Sequence, residues 1–214
     1  MTAHSRQISV LFERSRRGFR LVRRVLANLP GVRAKWAMCR CIVGHVRGRL
    51  GWPGRGGELT LQLEDLRMTV EPHRAEIKPY FEIWYEGSYE MRPGFQATED
   101  GCVVDVGGNV GFYAIRQGRR AVTGRVVVFE PSPGAFGRLR RNVEANEVKN
   151  AELINAAVGS SCGTVHFIEE AMSINSRVVA NATDVAIDIP CVTLDSALAR
   201  LGIHTVDILL CCCN

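Results

Sequence analysis

Two carboxylates, Asp105 and Glu130, each sit at the end of an apolar run. The first run, Cys102 to Val106, is broken only by Asp105; the second, Arg125 to Phe129, closes on Glu130 and is stopped by Pro131. Between them lies Gly107-Gly108-Asn109-Val110-Gly111, so the spacing from the aspartate is D-x-G-x-N-x-G. An acid after the second strand of such a unit offers acceptors to both hydroxyls of a ribose. An acid two residues ahead of the glycine turn repels a pyrophosphate at close range. It tolerates or favours a cationic ligand, such as the sulfonium and ammonium of S-adenosylmethionine. A dinucleotide fingerprint needs G-x-G-x-x-G and a P-loop needs G-K-[ST] after the turn, and neither pattern stands here. The plain alternative for Asp105 is a turn-stabilising carboxylate with no ligand. Glu130 alone carries little weight; the spaced pair is the signal.

Holding that pair requires a strand, a glycine turn, a helix and a second strand in order, with the helix starting at about Phe112. This is the nucleotide-binding half of a doubly wound α/β fold, in which ligands bind at the carboxyl ends of the strands. The next helix is predicted over Gly134 to Val143, with Arg138, Arg140 and Arg141 exposed, and the third strand over Ala151 to Asn155. Thr164 to Ile168 reads as a β segment and Ile187 to Val192 as a strand-like run. Between them, residues 169–186 are polar and irregular, with Ser173-Ile174-Asn175-Ser176 as a candidate substrate-side loop. A helix from Asp195 to Leu201, with Thr193 as cap, leads to a fourth strand from Val206 to Leu210.

The motifs VVDVGGNVGFYAI, VVVFEPSP, LINAAVG, IPCVTLDSAL and VDILL, in this order, resemble the FkbM family of S-adenosylmethionine-dependent methyltransferases over roughly Tyr85 to Leu210. The resemblance implies a class I, Rossmann-like three-layer α/β sandwich with a mostly parallel sheet. It also implies methylation of a hydroxyl on a sugar, glycan or secondary metabolite, with S-adenosylmethionine as cofactor. Carried over by residue, Asp105, Gly107, Gly108, Asn109 and Gly111 form the turn under the methionine part. Glu130 takes the ribose hydroxyls with Pro131 and Ser132 beside it, and Asn155-Ala156-Ala157 lies along the adenine. In the family, the strand that begins V-D-I-L continues as K-I-D-V-E-G-A-E and further strands follow. Here it reads VDILLCCCN and stops at Asn214, so the resemblance implies a member truncated at its C-terminus, with its sheet incomplete. A non-catalytic remnant of such an enzyme is the alternative reading, and a nicotinamide-dependent oxidoreductase the less favoured one.

Upstream, residues 1–57 read as a basic helical extension and linker, residues 58–100 as a hairpin and aromatic lead-in, and residues 101–214 as the cofactor domain. In residues 6–29, Ile8, Phe12, Phe19, Val22, Leu26 and Leu29 recur at helical steps, and Pro30-Gly31 ends the run. A second helix is expected from Val32 to about Val46, and GWPGRGG at 51–57 is a loop. Residues 1–55 hold 12 Arg and one Lys against Glu13 alone, a net of +12 in a chain of net +5. Two readings of this arm stay open: a weak contact with an anionic membrane surface, or a helix packed on the domain with its arginines solvated. Leu59 to Leu63 and Leu66 to Val70 suit a short hairpin. In the aromatic stretch that follows, Tyr85, Glu86 and Tyr89 either line the pocket or fill the core against the sheet.

Apolar content of 46% suits a chain that buries a core, and no run of about 18 apolar residues predicts a membrane span. The eight cysteines form no C-x-x-C pair, so no zinc is expected, and Cys102 and Cys191 read as buried thiols in a reducing cytoplasm. Sparse aromatic interleaving among the basic residues argues against nucleic acid as a partner. Methyl transfer to a hydroxyl needs alignment and a route for the proton. No general base is identifiable: His166 reads as structural, His204 as an exposed loop residue, and His45 and His73 lie outside the core. No metal site is expected either.

Overall fold

The structure, a computed structural model, describes residues 20, 22–29, 31–49, 57–63, 65–74, 76–91, 94–170, 176–179 and 185–211. Most of the helix expected over 6–29, the 51–56 loop, Ser173 to Asn175 and the cysteines at 212 and 213 lie outside the described residues.

Four parallel strands carry the site. They are β3 (Cys102–Val106), β4 (Arg125–Phe129), β5 (Ala151–Ile154) and β10 (Ile208–Cys211), in the order β10-β3-β4-β5. β-Branched valines dominate β3 and β4, and such side chains pack well on a pleated surface. Alternation along each strand sends Val103, Val126 and Val128 to one face and Val104, Val106, Val127 and Phe129 to the other. The first face is covered by α2 (Phe112–Arg120) and α3 (Pro133–Ala145) through Ile115 and Leu139. The second is covered by α4 (Leu194–Arg200) through Ala197, with Ile203 beside it. Helices on both faces of a parallel sheet make the three-layer Rossmann-like α/β arrangement. Full burial of each such apolar side chain contributes about 1.5–3 kcal/mol.

The β segments between β5 and α4 do not join that sheet. Here β6 (Ala157–Val158), β7 (Gly163–Ile168), β8 (Arg177–Val179) and β9 (Ile187–Val192) form a separate sheet in the order β6-β9-β7-β8. Only β6 and β9 run parallel in it. β7 and β8 are separated by eight residues, too few for the crossover that a parallel return needs, and they pair antiparallel. Thr193 caps α4 as expected, its hydroxyl accepting from the Ser196 N–H at 3.1 Å.

The lead-in is bound tightly to the helices of this domain. The hairpin of β1 (Leu59–Leu63) and β2 (Leu66–Val70) sits on α3 through two asparagines. Asn142 accepts from Thr69 N at 2.7 Å and donates to Thr69 O and to Val110 O. Asn146 repeats the pattern on Arg67. Helix α1 (Gly31–Arg49) buries Met38 and Cys41 against the hairpin side of the same apolar cluster. Gly44 allows its close approach: a Cβ there would stand 2.5 Å from Pro72 Cβ.

One arginine overturns its expectation. Arg138 is buried, 4% exposed, with its guanidinium on the fully buried Glu76 at 2.7 Å. Burial pushes the Glu76 carboxyl up and Arg138 pulls it back, and the pair ties the lead-in to α3. Arg140 and Arg141 are exposed as expected. Glu90 makes a second such clamp, accepting from Arg116, Gln117 and Arg120 of α2.

Candidate functional site

Strand β3 is where the order of the sheet reverses. The chain moves from β3 to β4 and β5 on one side, then returns to place β10 on the other. Such a switch point opens a crevice beyond the carboxyl ends of the strands. A cavity of about 660 Å³ occupies it, a size typical of small-molecule and cofactor sites. Asp105 and Glu130 both line that cavity and both are buried, at 1% and 6% exposure.

The glycine turn is fastened by its own amides. Gly107 N and Gly108 N both donate to Phe129 O, at 2.8 and 3.0 Å. Asn109 N donates to Glu130 Oε2 at 2.7 Å, and Gly111 N donates to Gly108 O at 2.9 Å. A turn that cradles phosphates aims such N–H groups at the ligand. Here these four are spent inside the protein and are not aimed at a ligand. Two positions demand glycine. A Cβ on Gly108 would lie 2.2 Å from Val128 Cγ1. Gly111 has a φ of +97° and abuts Leu139 Cδ1, where a side chain would be both strained and crowded.

The two acids at the strand ends are held in their less charged form by burial. Desolvation, then the nearby Glu130, pushes the Asp105 carboxyl up to about 7. Glu130 is also pushed up to about 7, by desolvation first, although the amides of Ser132 and Asn109 draw it down. Asp105 Oδ2 is buried with no hydrogen-bond partner among the described residues. A buried acceptor left open costs about 1–3 kcal/mol, so it calls for a donor from the cavity. Each Glu130 oxygen accepts one amide, from Ser132 at 2.8 Å or from Asn109, and keeps a further lone pair for a hydroxyl. The residues present therefore fit a ligand with a cationic donor near β3 and vicinal hydroxyls near β4.

Of the residues singled out from sequence, Asp105, Gly107, Gly108, Asn109, Glu130, Pro131, Ser132 and Ala156 line the cavity. Gly111 and Asn155 do not. Gly111 serves the turn from behind, and Asn155 donates to Glu130 O and Pro131 O, at 2.7 and 3.2 Å, fixing the loop that carries Glu130. Ser132 caps α3, accepting from Ala135 N, and also meets Glu169. Tyr89 lines the cavity with its ring against Tyr113. Glu86 instead accepts from Ser88, and the side chain of Tyr85 lies outside the described residues. His166 pairs with Asp188 across two strands at 2.7 Å, and His204 is exposed. Among the described residues no three His, Cys, Asp or Glu side chains gather where a metal could be held.

Sequence reading missed one wall. Lys78 and Glu82, paired at 3.1 Å, line the cavity with Ile83. They belong to a helical turn whose π-helical part spans Tyr80–Tyr85. Trp84 Nε1 donates to Phe112 O at 3.3 Å, and the Tyr80 and Phe112 rings meet at a tilt of 48° with centroids 5.9 Å apart, so this wall stands beside the turn after β3. The four-residue spacing of an acid and a base was a legible signal for the pair. Phe167 and Cys191, from the second sheet, close another side and had no such signal.

Residues 105–210 match the family described as the methyltransferase FkbM domain. A curated relative, Methyltransferase 1 of Beauveria bassiana (strain ARSEF 2860), is 28% identical over 78 residues, covering 36% of this chain and 30% of that protein. The chain thus matches less than a third of that relative's length. Among solved structures, M. jannaschii TYW2 in complex with AdoMet aligns with a TM-score of 0.36 at 17% identity, covering 53% of this chain and 64% of that one. The SAM-dependent methyltransferase from Agrobacterium tumefaciens aligns with a TM-score of 0.31 at 16% identity, covering 48% and 33%.

Proposed function

We propose, on the match of residues 105–210 to the methyltransferase FkbM domain, that this chain is a methyltransferase of that family, binds S-adenosylmethionine at the Asp105–Glu130 crevice and serves methylation of a hydroxyl on a sugar, glycan or secondary metabolite. The observation that carries this reading is the open, buried Oδ2 of Asp105 beside a Glu130 fixed by two amides. The cofactor, when bound, supplies an electrophilic methyl on a sulfonium. The protein's share is alignment and exclusion of water. Asp105 accepts from the cationic amino-acid end, and Glu130 accepts from the ribose hydroxyls. Ala156 and Pro131 offer the apolar surface that an adenine needs. The Lys78–Glu82 pair presents both charges near the turn after β3, which suits the carboxylate and ammonium of an amino-acid zwitterion. Tyr89, Tyr113 and Ile83 supply an apolar wall on the acceptor side.

Calorimetric titration of the chain with S-adenosylhomocysteine, with NAD in a parallel cell, tests the proposal. Saturable binding of the first alone, lost in Asp105→Ala, is expected. A folded chain that binds neither ligand, or that prefers NAD, sinks it.

A further inference from the structure

Helix α1 is apolar on two opposite faces, and among the described residues the domain covers only one of them. Ala34, Met38 and Cys41 face inward and are buried. Val32, Trp36, Cys39, Val43 and Val46 follow at steps of four, three, four and three residues. At 3.6 residues per turn these five fall within about 80° of arc, centred about 150° from the buried face. They are open to solvent: Val32 is 77% exposed, Trp36 67%, Val43 56% and Val46 48%, and Cys39 is exposed. A contiguous apolar stripe of this kind marks an interaction surface.

Its flanks carry charge of one sign. On the same wheel Lys35 borders the stripe on one side, and Arg33, Arg40 and Arg47 border it on the other. No acidic residue occurs between Glu13 and Glu58. A tryptophan within an apolar stripe, edged by Lys and Arg, is the pattern of a helix that lies in a membrane interface. No described helix is long and apolar enough to cross a membrane, so the fit is to a surface contact. We propose that α1 docks the protein on an anionic lipid surface, with Trp36 and its apolar neighbours in the headgroup boundary and the flanking cations on lipid phosphates. Charge decides among occupants. A second copy would bring the same cations to the same face, and residues 1–19 are themselves basic, with four Arg against Glu13. A polyanion without an apolar interior would leave Val32, Trp36 and Val43 in water.

Co-sedimentation of the full chain with vesicles tests this. One set is phosphatidylcholine alone, and the other replaces about a third of it with phosphatidylglycerol, enough to set up an attractive surface potential. At least tenfold stronger partition into the anionic set is expected. A Val32→Ser/Trp36→Ser/Val43→Ser variant should lose at least tenfold of that partition with its melting unchanged. A Lys35→Gln/Arg40→Gln/Arg47→Gln variant should lose the preference for anionic lipid. Should the serine variant unfold, quenching by brominated lipid of the fluorescence that Trp36→Phe removes gives the answer: quenching supports the proposal and its absence overturns it. Three other outcomes also overturn it. They are no partition of the native chain into either set, undiminished partition of a folded serine variant, and a native dimer that the serine substitutions make monomeric.

Discussion

The main-chain N–H of Asn109 donates to Glu130 Oε2 across 2.7 Å, joining the turn after β3 to the end of β4. Asn109 holds a φ of +49°, a left-handed conformation that asparagine tolerates better than most residues. The acid that is proposed to hold a ribose therefore also shapes the turn proposed to lie under the amino-acid end. Glu130→Ala should remove both roles. Affinity for S-adenosylhomocysteine is expected to fall about 10- to 100-fold, the loss of one or two charge-assisted hydrogen bonds. Calorimetry reads it; unchanged affinity would separate Glu130 from the ligand.

The two raised carboxyl groups set a pH dependence with a defined sign. Asp105 and Glu130 titrate near 7 in the folded chain, well above their ordinary values. Between about pH 4 and pH 7 the folded state holds protons that the unfolded state has released, so unliganded stability falls as pH rises through this window. A ligand that needs the ionised acids behaves oppositely. S-adenosylhomocysteine affinity should rise as pH goes from about 5.5 to 7.5, by up to tenfold per unit for each proton released, and level off above. Asp105→Asn should flatten the stability slope and make the unliganded chain more stable at pH 8. Melting curves and titrations across that range decide it.

Gly108 and Val128 compete for one space. A Gly108→Ala methyl would stand 2.2 Å from Val128 Cγ1, on a β-branched side chain fixed within β4. Overpacking of this kind costs about 1–3 kcal/mol. Adding Val128→Ala should restore part of that loss, because it removes the atom in the way. Denaturant melts of the two single variants and the double variant measure the coupling; strict additivity would contradict the geometry.

Asn142 links three elements through one amide, satisfying Thr69 N, Thr69 O and Val110 O. Asn142→Leu leaves those backbone groups without it and should destabilise the chain by about 2–4 kcal/mol. Asn142→Asp keeps the acceptor but loses both donations, and should fall between. A melting series that ranks the two variants the other way would refute this account.

The charged pair on the missed wall can be tested by shortening the ligand. 5′-Methylthioadenosine lacks the amino-acid zwitterion. Lys78→Ala and Glu82→Ala should each weaken S-adenosylhomocysteine about 5- to 50-fold, the range of a hydrogen bond to a charged group. Both should leave 5′-methylthioadenosine affinity unchanged. Equal losses for the two ligands would show that the wall acts through folding instead.

The residues that the sequence made legible are local ones. Asp105, the glycine turn and Glu130 follow from strand-turn-helix-strand chemistry, because glycine spacing and an apolar run of valines constrain the backbone within a few residues. The same reasoning found the hairpin, the Thr193 cap and the edges of β4 and β9. Arg138 shows where it stops. On a helical wheel its position reads as surface, and it is buried only because Glu76, 62 residues earlier, arrives beside it. Lys78 and Glu82 likewise gain meaning only when Trp84 docks on Phe112.

Sequence alone thus determined the identity and order of the acids at the strand ends, since period and turn chemistry are written in neighbouring residues. Tertiary structure alone decided that the turn's amides are spent on Phe129 and Glu130, and that, among the described residues, Asp105 Oδ2 stays open and one face of α1 is left uncovered. Those facts depend on which distant segments meet, and burial and desolvation exist only after they have met.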